Sequence, residues 1–323
     1  MIPEPGIYKN LSMRDYHNAP AVNSRLVQLI ASACPAAAWF ASYLNPDRLP
    51  EATSTTMDAG SIAHALLLEG DDSRVEVIDP MRYPAKTTGA IPEGWTNQAI
   101  RAARDNAYLA GKIPVLKAQY AEVEKRVEAA RAFIETTRED EPALYRAFKP
   151  DSGDSELSFF WDDHGTPCRI RPDRISADRK LIIDYKTGDG TAEPNTWGRS
   201  TMIRMAYYVA AAFYRRGIRA LFNTECDYVF LVQENSPPYL CSLVGVDEQG
   251  FALGAAKVDY GLTLWRRCVA ANAWPSYPSR VCYPEVPPWE VARWEEFEAL
   301  GIPYDPAKLW QKPSDRYSSE DTP

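Results

Sequence analysis

Cysteine pairs are missing from this chain of 323 residues: Cys34, Cys168, Cys226, Cys241, Cys268 and Cys282 lie at least 14 residues apart. With no CxxC or CxxxC spacing, a zinc ribbon or an iron–sulfur cluster has no support, and the thiols are expected to be reduced and partly buried. Long apolar runs are missing as well. Nothing approaches the ~18 consecutive apolar residues of a membrane span, and the opening "MIPEPGIYKN" has no basic segment leading into an apolar one. Neither a membrane anchor nor a secretory leader is expected, and a cytoplasmic protein is the reading. There is no internal repeat. What remains is an ordinary soluble composition, 45% apolar and 25% charged, with enough length for a sizeable core.

Positive charge is the scarcer sign, with 36 Lys and Arg against 44 Asp and Glu, a net −8. That total disfavours a nucleic-acid partner, but the deficit is uneven. Residues 165–219 hold eleven basic and five acidic side chains, a net +6, which leaves −14 for the rest. A basic segment in an acidic chain fits a localised anion site, or else a solvated charged face.

Along the chain, residues 1–20 read as loop and turn, with Pro3, Pro5 and Pro20. "NSRLVQLIASA" offers a capping residue and then Leu26, Leu29 and Ile30 at helical spacing. "MDAGSIAHALLLEG" reads as a helix from about Asp58 to Glu69, stopped by Gly70. Residues 79–95 read as a long loop, and two helices follow, the first stopped by Gly111. The period then changes. "ELSFFWDD" reads as a strand, and "PCRIRPDRI" and "KLIIDYK" as a hairpin around "SADR". "RSTMIRMAYYVAAAFYRRG" reads as a helix closed by Gly217, "CDYVFLVQE" and "PYLCSLVGV" as strands, and "DEQGFALGAAKVDYGLTLWRRCVAA" as a further helix. The last twenty or so residues read as disordered. Helices followed by a small mixed sheet make an α/β protein.

The run "LIIDYKTG" carries the chemistry. Period two places Asp184 and Lys186 on one face with Ile182, and Leu181, Ile183 and Tyr185 on the other. A charge in an apolar strand is costly unless paired, so the two residues satisfy each other or meet a third party such as a metal ion. The turn folds Asp173, after Pro172, back near Asp184, and Glu156 lies on the strand before. Three carboxylates so placed repel one another unless a cation sits among them, and hard oxygen donors suit Mg²⁺ or Mn²⁺. Structural ion pairs are the plainer alternative. His64, on an apolar helix, reads as a packed core residue or as a ligand to the same ion. Ser24 near a helix start reads as an N-cap or as a grip for a terminal phosphate, and Arg25 and Arg204 as phosphate contacts.

Taken in order, "AVNSRLVQLIASACPAAAWF", "DAGSIAHALLLEG", "ELSFFWDDHGTPCRIRPDRI" with "LIIDYKTG", "AYYVAAAFYRRGI", "CDYVFLVQE" and "WPSYPSRVCYPEVPPWE" resemble the exonuclease VIII (RecE-type) branch of the PD-(D/E)xK nucleases of phages and prophages, over roughly residues 10–292. The resemblance implies an α/β PD-(D/E)xK nuclease core of αβββαβ order with N-terminal helical elaborations. It implies one domain over 1–292 with a helical insertion near 96–137, and a flexible tail over 293–323. His64, Asp173 and Asp184 would bind metal with the Tyr185 carbonyl, Glu156 would help hold a second Mg²⁺ or Mn²⁺, and Lys186 would stand near the nucleophile. The implied activity is 5′→3′ digestion of linear double-stranded DNA, leaving 3′ overhangs for a single-strand annealing protein. A ring-shaped homo-oligomer is implied too. The family's Gln in the helix after the core is absent: Met205 or Ala210 takes its place, while Tyr207, Tyr208 and Tyr214 stand as candidate substrate contacts. A PD-(D/E)xK endonuclease and a catalytically inactive DNA-end-binding scaffold are the competing readings.

Overall fold

The structure, a computed structural model, describes residues 3–48, 55–85, 87–149 and 151–299. The expected disorder of the final twenty residues lies outside them. The chain divides into two units, Met1–Ser276 and Tyr277–Pro323. Where a loop was expected at the N-terminus there is a strand, β1 (Gly6–Tyr8), and a helix, α1 (Met13–Asn18). Ser12 starts α1 by accepting from the Asp15 N–H at 3.0 Å, and this short capping motif overrides the surrounding prolines. Next come α2 (Ser24–Ser32), α3 (Pro35–Ala41) and α4 (Thr55–His64). The α4 spiral widens after His64 into a π turn, Ala65–Glu69, closed by Gly70 in the left-handed conformation at φ 67°. Strand β2 (Val75–Ile78), α5 (Gln98–Leu109), β3 (Ile113–Leu116), α6 (Lys117–Thr136) and α7 (Pro142–Ala147) complete the first half.

The second half opens with β4 (Gly153–Ser155), β5 (Ser158–Asp163), β6 (Thr166–Ile170), β7 (Arg174–Ser176) and β8 (Leu181–Gly188). It continues with α8 (Pro194–Trp197), α9 (Tyr207–Phe222), β9 (Asp227–Glu234), β10 (Cys241–Gly245) and α10 (Glu248–Ala271). Helix α11 (Pro288–Ala299) belongs to the second unit. The main sheet has the order β10-β9-β8-β7-β4, with β8 and β9 parallel and the other pairs antiparallel. Strands β1, β5 and β6 form a second sheet. "PCRIRPDRI" is therefore not one strand. Pro172 has no N–H for a ladder, so pairing with β5 ends at Ile170, and pairing with β8 begins at Arg174. Apart from this division over two sheets, the succession of α4, strands, α9 and β9 follows the expected αβββαβ order.

Period two holds along the central strand. Ile182 packs in a core with Tyr228, Phe230 and Val232 of β9 and the inner faces of α2, α9 and α10. Leu181, Ile183 and Tyr185 pack with Leu231 in a second core, under α4, α6 and α7. The N-terminal segment joins the second sheet twice, through β1 on β5 and through Val22 on β6. Val22 bridges β6, its N–H donating to the Pro167 carbonyl and its own carbonyl accepting from the Arg169 N–H, both at 2.8 Å. All six cysteines are free, and no described helix is long and apolar enough to cross a membrane.

Two glycines serve packing rather than termination. Gly217 does not end α9, which runs on to Phe222 and is closed by Asn223 in the left-handed conformation. A Cβ at Gly217 would stand 2.8 Å from the Trp161 ring. The expected start near Arg199 is also interrupted. Residues Gly198–Met202 form a second π turn, and Ala206 sits at φ 52°, where the Gln28 side-chain amide of α2 donates to its carbonyl at 2.8 Å. At Gly254 of α10, a Cβ would lie 2.6 Å from the Tyr208 carbonyl and 2.9 Å from the Ala212 Cβ of α9. In an unconstrained helix, Gly to Ala gains about 1 kcal/mol. Here Gly254→Ala is expected to destabilise by about 1–3 kcal/mol, because the obstacle is main chain. Urea unfolding checks the sign, and a raised midpoint would mean the two helices are not in close contact.

Candidate active site

Where the antiparallel pairing of β7 with β8 ends, Asp173 takes over the role of a ladder carbonyl. Its Oδ2 accepts from the Tyr185 N–H at 2.8 Å. Across from it Asp184, 8% exposed, points to the α9 side of the sheet. Its Oδ1 accepts from Lys186 and its Oδ2 from the Tyr228 hydroxyl at 2.7 Å. The Lys186 ammonium also lies over the Tyr207 ring, 5.3 Å from its centroid, and that ring stacks on Trp197. Lys186 is thus held between an anion and an aromatic face.

His64, at the end of α4, brings its Nδ1 to 3.5 Å from Asp173 Oδ2, and its ring lies 5.0 Å from that of Tyr185. Glu156 is not on a strand as expected. It occupies the kink between β4 and β5 at φ 52°, and its N–H donates to the Asp173 carbonyl at 3.3 Å. A non-glycine residue held left-handed is strained, and here the strain turns the carboxylate inward. One ligand atom from each of His64, Glu156 and Asp173 falls within 4.8 Å of the others. Asp184 lies outside that trio but reaches it through a hydrogen bond with Asp173.

The charges are in conflict. Burial, then the charge of Asp184, pushes the Asp173 carboxyl well above the usual range, with Lys186 opposing. Burial opposes the charge of Asp184 too. Lys186 and hydrogen bonds from Asp173, Lys186 and Tyr228 outweigh it and hold Asp184 below its ordinary value. Burial also disfavours the Lys186 ammonium, but the Asp184 and Asp173 charges hold its pKa up. Burial and then the charge of Glu69 push Glu156 up to about 7 against Arg171 and Arg74. Burial and then Lys186 push His64 down to about 4, against Asp184 and a hydrogen bond with the Tyr185 main chain. That last bond favours the protonated ring, so the main chain is its acceptor. A neutral imidazole, a main-chain carbonyl beside it and carboxyls that cannot all ionise together are a donor set that fits a hard divalent cation.

The other expected contacts are dispersed. Asn23, not Ser24, caps α2, its side chain accepting from the Leu26 N–H at 3.0 Å, and Ser24 is the first helical residue. Arg25 and Arg204 are exposed. Tyr208 is a core residue whose hydroxyl accepts from Lys257. Tyr214 lies behind the acids, its hydroxyl donating to the Arg171 carbonyl at 3.2 Å. Sequence reasoning missed Tyr228, Glu69 and Arg171. Arg171 is buried, and its Nε donates to the Ser158 hydroxyl at 2.8 Å. The one available signal was a hydroxyl at the inward period-two position Tyr228, among Phe230 and Val232.

Between about pH 4.5 and 7, Glu156 is protonated in the folded chain and ionised in the unfolded one. Its raised pKa therefore favours the fold below 4.5, and that contribution is lost as the pH rises through about 7. With a chelator present, stability is expected to fall by about 1–3 kcal/mol from pH 6 to pH 8. Glu156→Gln should flatten that slope, and Mg²⁺ should restore more stability at pH 8 than at pH 6. Melting curves at the two pH values test all three, and a rise in stability with pH would contradict the charge conflict.

A structure from Eubacterium rectale described as a candidate exonuclease superposes with a TM-score of 0.53 at 13% identity, covering 88% of this chain and 98% of that one, a likeness of fold. An alkaline exonuclease from Laribacter hongkongensis covers 62% of this chain and 93% of its own at 17% identity, but with a TM-score of 0.25 it carries no argument. No curated protein matches the chain significantly. Residues 23–284 match the family described as the PDDEXK-like domain of unknown function (DUF3799), and the chain belongs to that family.

Proposed function

We propose that the protein is a divalent-metal-dependent 5′→3′ exodeoxyribonuclease that digests linear double-stranded DNA and leaves 3′ overhangs. One observation carries this reading: His64, Glu156 and Asp173 converge within 4.8 Å beside the Asp184–Lys186 pair, on a PDDEXK-like fold. The exonuclease description of the Eubacterium rectale structure, whose fold it shares, adds support.

Bound by His64, Glu156, Asp173, Asp184 and the Tyr185 carbonyl, one or two Mg²⁺ or Mn²⁺ ions would supply Lewis acidity toward a phosphodiester oxygen and toward water. The residues have their own tasks. Asp184 holds the Lys186 ammonium in place, and Lys186 offsets the negative charge that grows on the phosphate during attack. Glu156, which converges with His64 and Asp173, would help hold the second ion or its water. The phosphorus gains the water oxygen and loses the 3′ oxygen, which leaves with a proton. The products are a 5′ phosphate and a 3′ hydroxyl.

Within the basic stretch 165–219, Arg199 and Arg204 are exposed and are the candidate phosphate contacts, whereas Arg169 and Arg171 are buried and Arg179, Arg215, Arg216 and Arg219 pair with acids. Arg25 and the first-turn Ser24 extend the set of candidate phosphate contacts. The polarity of digestion, the ring-shaped homo-oligomer and the single-strand annealing partner rest on the sequence resemblance to the exonuclease VIII branch.

End-labelled, 5′-phosphorylated linear duplex, incubated with and without Mg²⁺, tests the proposal. Label release is expected from linear DNA with Mg²⁺ only, while closed circular DNA resists. Asp184→Asn and Lys186→Ala should each lower the rate by about 10²–10⁴-fold without unfolding the chain. Undiminished turnover in either variant would remove the site, and cutting of circles would replace the exonuclease by an endonuclease.

A further inference from the structure

Two tyrosines stand behind the acids, Tyr228 on β9 and Tyr214 on α9. Tyr228 of β9 is 3% exposed and lies diagonally across from Asp184, since its register partner is Ile182. Its hydroxyl donates to Asp184 Oδ2 at 2.7 Å. Tyr214 of α9 donates to the Arg171 carbonyl at 3.2 Å, two residues before Asp173. The two rings meet edge to face, 5.8 Å apart at 86°. The tyrosine pair therefore touches both acid-bearing segments at once.

A core position among Ile182, Phe230 and Val232 calls for Phe. A hydroxyl there costs desolvation, and it persists with one acceptor, the carboxylate of Asp184. With Lys186 on one oxygen and Tyr228 on the other, Asp184 cannot rotate. Without the phenol, Oδ2 of Asp184 loses its donor, and the carboxylate is held by Lys186 and Asp173 alone. We propose that Tyr228, braced by Tyr214, is a positioning residue that fixes Asp184 and Asp173 relative to each other for divalent-cation binding. This rests on the reading that those acids hold a cation.

The test is calorimetric titration of Mn²⁺ into the full chain, with Tyr228→Phe, Tyr214→Phe and Asp184→Asn as variants. Groups that orient metal ligands typically contribute 10–100-fold in affinity. Tyr228→Phe is expected to weaken Mn²⁺ binding about tenfold or more, and Tyr214→Phe about threefold. Melting temperatures in chelator should stay close to that of the parent chain. On linear duplex, kcat should fall in Tyr228→Phe while KM is kept, whereas general structural damage would move both and the melting temperature. Affinity within twofold of the parent in a folded Tyr228→Phe or Tyr214→Phe overturns the proposal. Should Tyr228→Phe fail to fold, Tyr214→Phe, which leaves every contact of Asp184 intact, decides alone. If the parent chain binds no Mn²⁺, or Asp184→Asn binds it equally well, the cation reading itself fails.

Discussion

Two carboxyls in hydrogen-bond contact, Asp173 and Asp184, set the terms for the rest of this structure. Like charges that close cannot both ionise in a buried setting without a compensating cation. Nearly everything around them answers that repulsion. Lys186 neutralises one of the pair, the Tyr185 N–H binds the other, and the phenol of Tyr228 takes the last free oxygen of Asp184. His64 stays neutral chiefly because it is buried, and then because the positive charge that steadies Asp184 disfavours a second cation beside it. The arrangement holds together as a unit, so removing any one member changes the balance for the others.

The fold accommodates the cluster by interrupting regular structure at the places where a side chain must be aimed. The ladder stops at Pro172, which frees Asp173 to use its side chain where a main-chain group would otherwise pair. Glu156 takes a left-handed kink between two strands, α4 widens into a π turn directly after His64, and Ala206 breaks the approach to α9 just before Tyr207. Each departure sits within a residue or two of a group that faces the site. Departures of this kind are frequent at functional centres.

Much of this was legible in the sequence. The period-two face of "LIIDYKTG", the helix with His64 and the Asn23 cap of α2 follow from local rules, and the apolar spacing separates the two faces of the strand. What local rules could not supply was tertiary. Gly217 looks like a stop but is a slot for the Trp161 ring, and Tyr208, a candidate substrate contact, is core. "RIRPDRI" alternates like one strand, yet its two ends serve different sheets. Tyr228 was invisible for the same reason: an inward tyrosine reads as packing until the carboxylate opposite is known.

The single bridge at Val22 bears on how the molecule behaves in company. Both main-chain groups that the middle of β6 turns outward are already taken by Val22. That border of the smaller sheet is capped by the chain's own amino-terminal stretch, and a stray extended peptide finds no template there. Detaching those first residues would uncover the Pro167 carbonyl and the Arg169 N–H along that margin.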